Sequence, residues 1–299
     1  MSAPLIFDRR SLARNRARAA RLLAKSPETA PDFLLSRVAE DFSYRLDVIR
    51  RSFADVADLG CHHGGLGRIL KRNHAFASLT SADDCAELLA HADAPHRLID
   101  FEHLPFANSS LDLVVSGLAL HAVNDLPGTL AQVHASLRPD GLFLAALIGG
   151  RSLFELRDAF LTAEIELTGG ASPRIAPAID VRELGTLLQR ARFALPVVDS
   201  DVVTVTYAHP LALMHDLRAM GATSCLCERP RTFLARNVLL RAIEIYQERH
   251  AEPDGRIRAT FEIITATAWS PHANQQKPLQ PGSAKTRLAD VLRPPRTAA

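Results

Sequence analysis

The sequence has 299 residues, and 47% of them are apolar, which is enough for one large core or one core with a smaller covering lobe. Its 35 basic and 33 acidic residues leave a formal charge of +2, which argues against an extended nucleic-acid footprint. Charged residues or glycine interrupt every apolar run before it reaches the roughly 18 to 20 residues of a membrane-spanning helix. We therefore expect a soluble globular protein without a membrane span.

The N-terminal segment is rich in arginine and precedes a helix-like stretch. Six arginines lie between Arg9 and Arg21, with Asp8 as the one nearby acid. By composition this segment resembles either a mitochondrial transit peptide or an ordinary basic helix. Residues 32–51 place apolar side chains near helical spacing, which predicts a helix that covers a core. We assign residues 1–52 to an N-terminal helical cover.

The next part of the chain, residues 53–150, alternates between strand-like and helix-like runs. The predicted strands are 53–60, 75–83, 96–100, 111–120 and 142–150. Near-continuous apolar strands of this kind are typical of parallel sheets that are covered on both faces. A helix before the fifth strand is predicted to end at Pro139 and Gly141.

A different pattern begins at Arg151. A helix, a loop rich in Gly and Pro and a second helix come first, and two alternating runs, 197–207 and 257–269, predict late antiparallel strands. Two amphipathic helices between these strands are candidates for a lid. We assign 151–270 to a substrate lobe and 271–299 to a flexible tail. The predicted fold is α/β: a doubly wound, mostly parallel seven-stranded sheet with an inserted helical lobe.

Acidic residues end the first three predicted strands, where open α/β sheets bind their ligands. Asp58 is followed by a glycine-containing turn, and Asp83 lies about 25 residues later, near the spacing of a ribose-binding acid in dinucleotide folds. A carboxylate can accept hydrogen bonds from both ribose hydroxyls, although Asp83 and Asp84 could instead cap the next helix. Asp100, with Phe101 beside it, suits the amine and the ring face of an adenine.

These residues resemble the ordered motifs of class I S-adenosylmethionine-dependent methyltransferases. The resemblance rests on residues 58–64, Asp83, 100–106, 111–116 and 137–141. It implies S-adenosyl-L-methionine as the cofactor. The residues expected to bind it are Asp58, Gly60, Cys61 and Gly64 in the first turn, Asp83 and Asp84 after the second strand, Asp100 and Phe101 after the third, and Ser116 in the fourth.

One position departs from the family pattern. His62 stands where the family usually has glycine, so the tightest point of the turn carries a side chain. Its Cβ either crowds the methionine part of the cofactor or is tolerated because the backbone keeps a negative φ.

A closer resemblance points to one branch of this superfamily, the mitochondrial complex I assembly factors described as protein-arginine hydroxylases. It rests mainly on residues 6–9, 118–127 and 149–157, and it departs at His62 and at Ala122, where the branch tends to have Trp. The malonyl-carrier-protein methyltransferases of biotin synthesis are similar over the cofactor half.

The closer branch implies a methyltransferase-like enzyme that acts on a protein substrate, possibly a complex I subunit. Protein-arginine hydroxylation and a non-catalytic assembly role that keeps the cofactor are the alternatives. A bacterial protein of this kind is expected in the cytoplasm, and a eukaryotic one in the mitochondrial matrix.

Candidate substrate-facing residues follow the fourth strand and lie in the lobe. His121 suits a general base because its ordinary pKa is near neutral, although a structural histidine fits equally well. Glu155, Arg157, Glu164 and Arg174 are candidates for holding a charged protein substrate, and a solvated helix face is the alternative.

We predict no metal site. His62 and His63 beside Cys61 are consecutive, so their side chains diverge. Cys225 and Cys227 are too close for a usual zinc pair and lack a second pair.

Overall fold

A computed structural model describes residues 5–26, 31–276 and 283. Seven strands form one sheet in the order β3-β2-β1-β4-β5-β7-β6. Strands β1 to β5 run parallel, and β7 is antiparallel to both of its neighbours. The predicted α/β fold is confirmed. The strands are β1 (Asp55–Leu59), β2 (Ser78–Asp83), β3 (His96–Leu98), β4 (Leu111–Gly117), β5 (Leu137–Ile148), β6 (Ala194–Tyr207) and β7 (Ile257–Trp269).

Helices cover both faces of this sheet, as the apolar strands require. One face packs against α2, α3, α6 and α9, and the other packs against α5 and α7. The helices are α1 (Arg9–Lys25), α2 (Phe33–Val48), α3 (Gly65–Asn73), α4 (Ala86–Leu89), α5 (Leu126–Ser136), α6 (Phe154–Thr168), α7 (Val181–Arg190), α8 (Pro210–Ala219) and α9 (Arg236–His250).

The boundary between α5 and β5 differs from the prediction. The helix ends at Ser136, and the Pro139 and Gly141 that were expected to stop it lie inside β5. Leu111 pairs with Leu137 while Leu113 pairs with Leu142, so the extra residues are absorbed in a bulge. The sequence pattern could not show this, because a strand with Pro and Gly at its start resembles a helix stop.

The C-terminal half does not build a sheet of its own, since β6 and β7 extend the same sheet beyond β5. Of the two helices predicted as a lid, α8 packs against α1, and α9 packs along α6. The predicted division at residues 52, 150 and 270 stays a prediction. Most of the predicted tail, 271–299, lies outside the described residues.

Candidate cofactor and substrate site

The strand order reverses between β1 and β4, which are neighbours in the sheet, and ligands of such sheets bind at the carboxyl ends there. The turn that follows β1 needs glycine because its backbone has a positive φ and because there is no room for a Cβ atom. Gly60 has φ +76°, and a Cβ on it would lie 2.2 Å from the Cβ of Ala119. Gly64 has φ +81° and immediately precedes α3. The chain can therefore close tightly over the end of β1.

Two polar side chains at this edge are buried without hydrogen-bond partners. Neither carboxyl oxygen of Asp58 in β1 nor the hydroxyl of Ser116 in β4 is hydrogen-bonded within the described residues. Burial, together with the charge of Asp83, raises the pKa of Asp58 to about 7, although the nearby backbone N–H of Gly67 opposes this shift. Buried polar groups without partners are rare in proteins, so their presence on neighbouring strands marks a place where a polar ligand would bind.

The His62 side chain occupies the crevice between these strands. Its Nε2 lies 3.0 Å from the carbonyl oxygen of Gly117 at the end of β4, and its backbone N–H donates to Asp83 Oδ2 at 2.9 Å. His62 has a φ of +52°. The backbone therefore does not have the negative φ that would make a side chain easy to accommodate at this position. Burial and then the positive charge of Arg16 lower the pKa of His62 to about 4, which keeps the ring neutral at neutral pH.

Two arginines of α1 pair with acids that were expected to hold the cofactor. The buried Arg16 guanidinium donates to Asp83 Oδ2 at 2.8 Å and pairs with Asp84. Arg9 lies 2.7 Å from Asp100 Oδ1, and it holds the pKa of Asp100 below its ordinary value against the opposing effect of burial. The arginine-rich segment is therefore a helix that covers this edge of the sheet.

A cavity of about 870 Å³ extends from this edge to the lobe. It is lined by parts of α1, α2, α6 and α8, by the turns after β3 and β4, and by the segment 174–178. The predicted site residues that line it are Asp84, Asp100, Phe101, His121, Arg157 and Arg174. Those outside its lining are Asp58, Gly60, Cys61, Gly64, Asp83, Ser116, Glu155 and Glu164. Of the first turn, only His62 and His63 reach the cavity.

His121 lies in a 3-10 turn, Leu120–Ala122, just after β4. Its Nδ1 is buried without a hydrogen-bond partner among the described residues. Burial, followed by the positive potential of His62 and Arg16, lowers its pKa to about 4. His121 therefore lines the cavity with a neutral imidazole, and its unpartnered Nδ1 is buried behind the cavity wall.

The four lobe residues predicted to contact a substrate separate into two groups. Glu155 is fully buried and accepts hydrogen bonds from the backbone N–H and the hydroxyl of Thr260, so its position does not fit a substrate contact. Glu164 is also buried, and it accepts from Arg174 Nε at 2.8 Å. Its carboxylate thereby fixes the loop after α6. The spacing of these acids along α6 could not reveal that both face inward.

Arg157 and Arg174 do line the cavity. Arg174 is neutralised by Glu164, and its guanidinium lies 5.4 Å from the ring centre of Phe160. Arg157 has one long contact, 3.5 Å to the carbonyl oxygen of Gly150. Its charge remains available to a ligand.

Arg9 and Arg16 were missed as site residues. They are seven residues apart and so share one face of α1, which is the signal that the sequence offered. Within the described ranges, no group of three His, Cys, Asp or Glu side chains is arranged to hold a metal ion. No helix of the described residues is long and apolar enough to cross a membrane.

Comparison with known proteins places the chain in a family. Residues 57–145 match the methyltransferase domain model. The chain is 37% identical over 291 residues to the arginine-hydroxylase NDUFAF5, mitochondrial, of Danio rerio, with 96% of this chain and 89% of the relative covered. The Homo sapiens protein of the same name is 37% identical over 273 residues, covering 90% and 79%.

Other similarities are more distant. The malonyl-[acyl-carrier protein] O-methyltransferase of Laribacter hongkongensis is 34% identical, with 83% of this chain and 86% of the relative covered. The crystal structure of YcgJ from Bacillus subtilis superposes with a TM-score of 0.55 at 13% identity, covering 79% of this chain and 99% of that one, and supports the fold alone. The chain belongs to the NDUFAF5 family of proteins with a class I methyltransferase fold.

Proposed function

We propose that this protein binds S-adenosyl-L-methionine and modifies a protein substrate during assembly of respiratory complex I. The observation that carries the proposal is a cavity that joins the acidic ends of β2 and β3 to His121, whose Nδ1 has no hydrogen-bond partner among the described residues. The names of the NDUFAF5 relatives support the arginine context, the sequence resemblance to complex I assembly factors supports the assembly context, and the methyltransferase domain supports the cofactor. We propose the bacterial cytoplasm as its location, or the mitochondrial matrix in a eukaryote.

The residues at the sheet edge fit this cofactor. Asp100 and Phe101 offer an acceptor and an apolar face for an adenine, and Asp84 offers an acceptor for a ribose, whereas Asp83 is buried outside the cavity lining and becomes available only if Arg16 moves. The unpartnered Asp58 carboxyl and Ser116 hydroxyl lie on neighbouring strands outside the cavity lining, so they can become polar partners of a charged methionine portion only after the His62 ring has moved. The fit requires that Arg16 share Asp83 with the ribose and that the His62 ring leave the crevice.

Methyl transfer is the reaction that the geometry supports best. When bound, the cofactor supplies an electrophilic methyl group on a sulfonium. The protein must then hold an acceptor in line with that group and allow its proton to leave. The His121 ring can accept a hydrogen bond from the acceptor N–H or O–H and orient it, because a pKa of about 4 keeps the ring unprotonated at neutral pH; the same low pKa makes the ring a weak base, so the proton passes on to water.

Two alternatives each rest on a specific observation. Arginine hydroxylation is favoured by the names of the relatives, and it needs molecular oxygen and a reductant in addition to the protein. A non-catalytic role is favoured by His62, whose ring occupies the crevice at the strand-order reversal.

The test is incubation of the protein with purified subunits of complex I and S-adenosylmethionine, followed by intact-mass spectrometry. We expect one subunit to gain the mass of a methylene group, and the His121→Ala variant to give at least a tenfold lower rate. Gain of one oxygen atom, dependent on oxygen and a reductant, would replace methyl transfer with hydroxylation. No mass change under either condition would favour the assembly role.

A further inference from the structure

The arginines of α1 lie on two faces of the helix. Arg16 points toward the sheet edge, whereas Arg14, Arg18 and Arg21, spaced by four and three residues, share the opposite face. Arg218, at the end of α8, joins the second group because α8 packs against α1. Arg14, Arg21 and Arg218 are exposed, and Arg18 is partly buried. We call Arg14, Arg18, Arg21 and Arg218 the arginine patch.

The arginine patch has no balancing acid. Within 5–26 and 31–276, none of its four guanidinium groups lies in an ion pair. The contacts are with uncharged groups: Arg14 donates to the Ser11 hydroxyl at 2.8 Å, and Arg18 donates to Asn15 Oδ1 at 3.1 Å and to the Thr223 hydroxyl at 2.9 Å. These hydrogen bonds fix the guanidinium groups of Arg14 and Arg18 and leave their charge uncompensated.

The pKa of Arg18 indicates that the four arginines lie close enough to repel one another. Burial lowers the pKa of Arg18, and the charges of Arg218, Arg21 and Arg14 lower it further. The Arg18 Nε is buried without an acceptor among the described residues. Like charges at this spacing weaken a helix, so the arrangement is unfavourable until an anion binds.

The patch continues into the substrate end of the cavity. The charged residues that the lobe contributes to the cavity lining are Arg157, Arg174 and Arg218. Glu164 neutralises the charge of Arg174. The two lobe arginines whose charge is not neutralised within the described residues are Arg157, inside the cavity, and Arg218, at the arginine patch. Of the acids that line the cavity, Asp84, Asp100 and Glu102 are paired with arginines of α1, and Asp32 lies beside His63 at the cofactor end. The uncompensated charge of the substrate end is therefore positive.

We propose that the arginine patch docks a segment rich in Asp and Glu on the protein substrate and directs that substrate toward the cavity. This inference rests on the proposed function in one respect, that the substrate is a protein. Guanidinium groups pair with carboxylates through two parallel hydrogen bonds, which suits such a segment. Four cations on a chain of net charge +2 are fewer than the six to ten phosphate contacts of a typical nucleic-acid site.

The experiment measures binding of a fluorescein-labelled oligoglutamate peptide by anisotropy at low salt. The test variant is R14Q/R21Q/R218Q, which keeps Arg18 because that side chain is bonded to Thr223. The control variant is R72Q/R182Q/R190Q, which removes the same charge from three exposed arginines on α3 and α7. We expect the test variant to bind about tenfold more weakly, with a smaller salt dependence, and the control to bind as the unmodified protein does.

Two results would overturn the proposal. Equal weakening in both variants would mean that only the net charge matters, and tighter, patch-dependent binding of oligouridylate would assign the surface to nucleic acid. Binding of S-adenosylhomocysteine is measured on the same proteins, and the patch variant should retain it. If even the unmodified protein fails to bind S-adenosylhomocysteine while peptide binding still depends on the patch, the proposed function fails and the docking surface stands.

Discussion

Replacing His62 with glycine should strengthen cofactor binding. In the free protein the His62 ring bonds the Gly117 carbonyl at 3.0 Å and lies in the crevice between β1 and β4, so a ligand must first break this contact. A hydrogen bond of this type is worth about 1 kcal/mol, which corresponds to about a fivefold gain in affinity when it no longer has to be broken.

The same substitution should lower the free energy of unfolding by about 1 kcal/mol. Glycine removes the cost of holding His62 at φ +52°, about 1 kcal/mol, but it adds about 0.5–1 kcal/mol of backbone entropy to the unfolded chain and loses the hydrogen bond to Gly117, worth about 1 kcal/mol. A gain in affinity together with a slightly lower melting temperature would therefore identify the ring as the obstacle.

The assay is calorimetric titration with S-adenosylhomocysteine, and His63→Gly is the matched control. The His63 ring accepts from the Gly65 N–H at 3.2 Å and faces Asp32, away from Gly117, so its removal should not improve affinity. Equal or weaker binding by His62→Gly would contradict this prediction, because it would mean that the ring either stays in place or helps to hold the ligand.

Three further outcomes follow from the buried groups. Asp83→Asn should lower the free energy of unfolding by about 3–5 kcal/mol in denaturant titrations, because Arg16 loses its buried charge partner, and Asp84→Asn should cost less because Asp84 is partly exposed. Folding raises the pKa of Asp58 from 3.8 to about 7, so the free energy of unfolding of the unmodified protein falls as the pH rises through that range. Asp58→Asn lacks this carboxyl, so its stability relative to the unmodified protein should increase by about 2–4 kcal/mol between pH 4 and 7. A difference in stability that stays constant with pH would contradict this. Glu155→Ala should lower the melting temperature by several degrees without changing affinity for a peptide substrate, whereas a purely catalytic defect would contradict its structural role.

Much of the fold could be predicted because it depends on periodicity. Apolar runs of strand length, separated by helical patterns, determine a parallel sheet, and β7 was predicted with its observed bounds, 257–269. The start of β5 could not be predicted in this way. Its bulge depends on pairing with β4, a long-range contact that the local Pro and Gly signals do not encode.

The site was less predictable, because ion pairs join residues that are distant in sequence. Asp83 and Asp100 were recognised as strand-end acids, but nothing local indicated that Arg16 and Arg9 would pair with them from α1. The different environments of Glu155 and Arg157 also depend on tertiary packing. The two residues lie in one turn of α6, but Glu155 is buried in the core and Arg157 lines the cavity. Helical spacing gives relative orientation, whereas the packing against β7 decides which face is buried.

Calorimetric titration of the unmodified protein with S-adenosyl-L-methionine tests cofactor binding at this sheet edge directly. We expect saturable binding of one molecule per chain, with a dissociation constant in the micromolar range or tighter, competed by S-adenosylhomocysteine. Absence of binding by both the unmodified protein and His62→Gly would contradict the claim that the edge between β1 and β4 is a cofactor site.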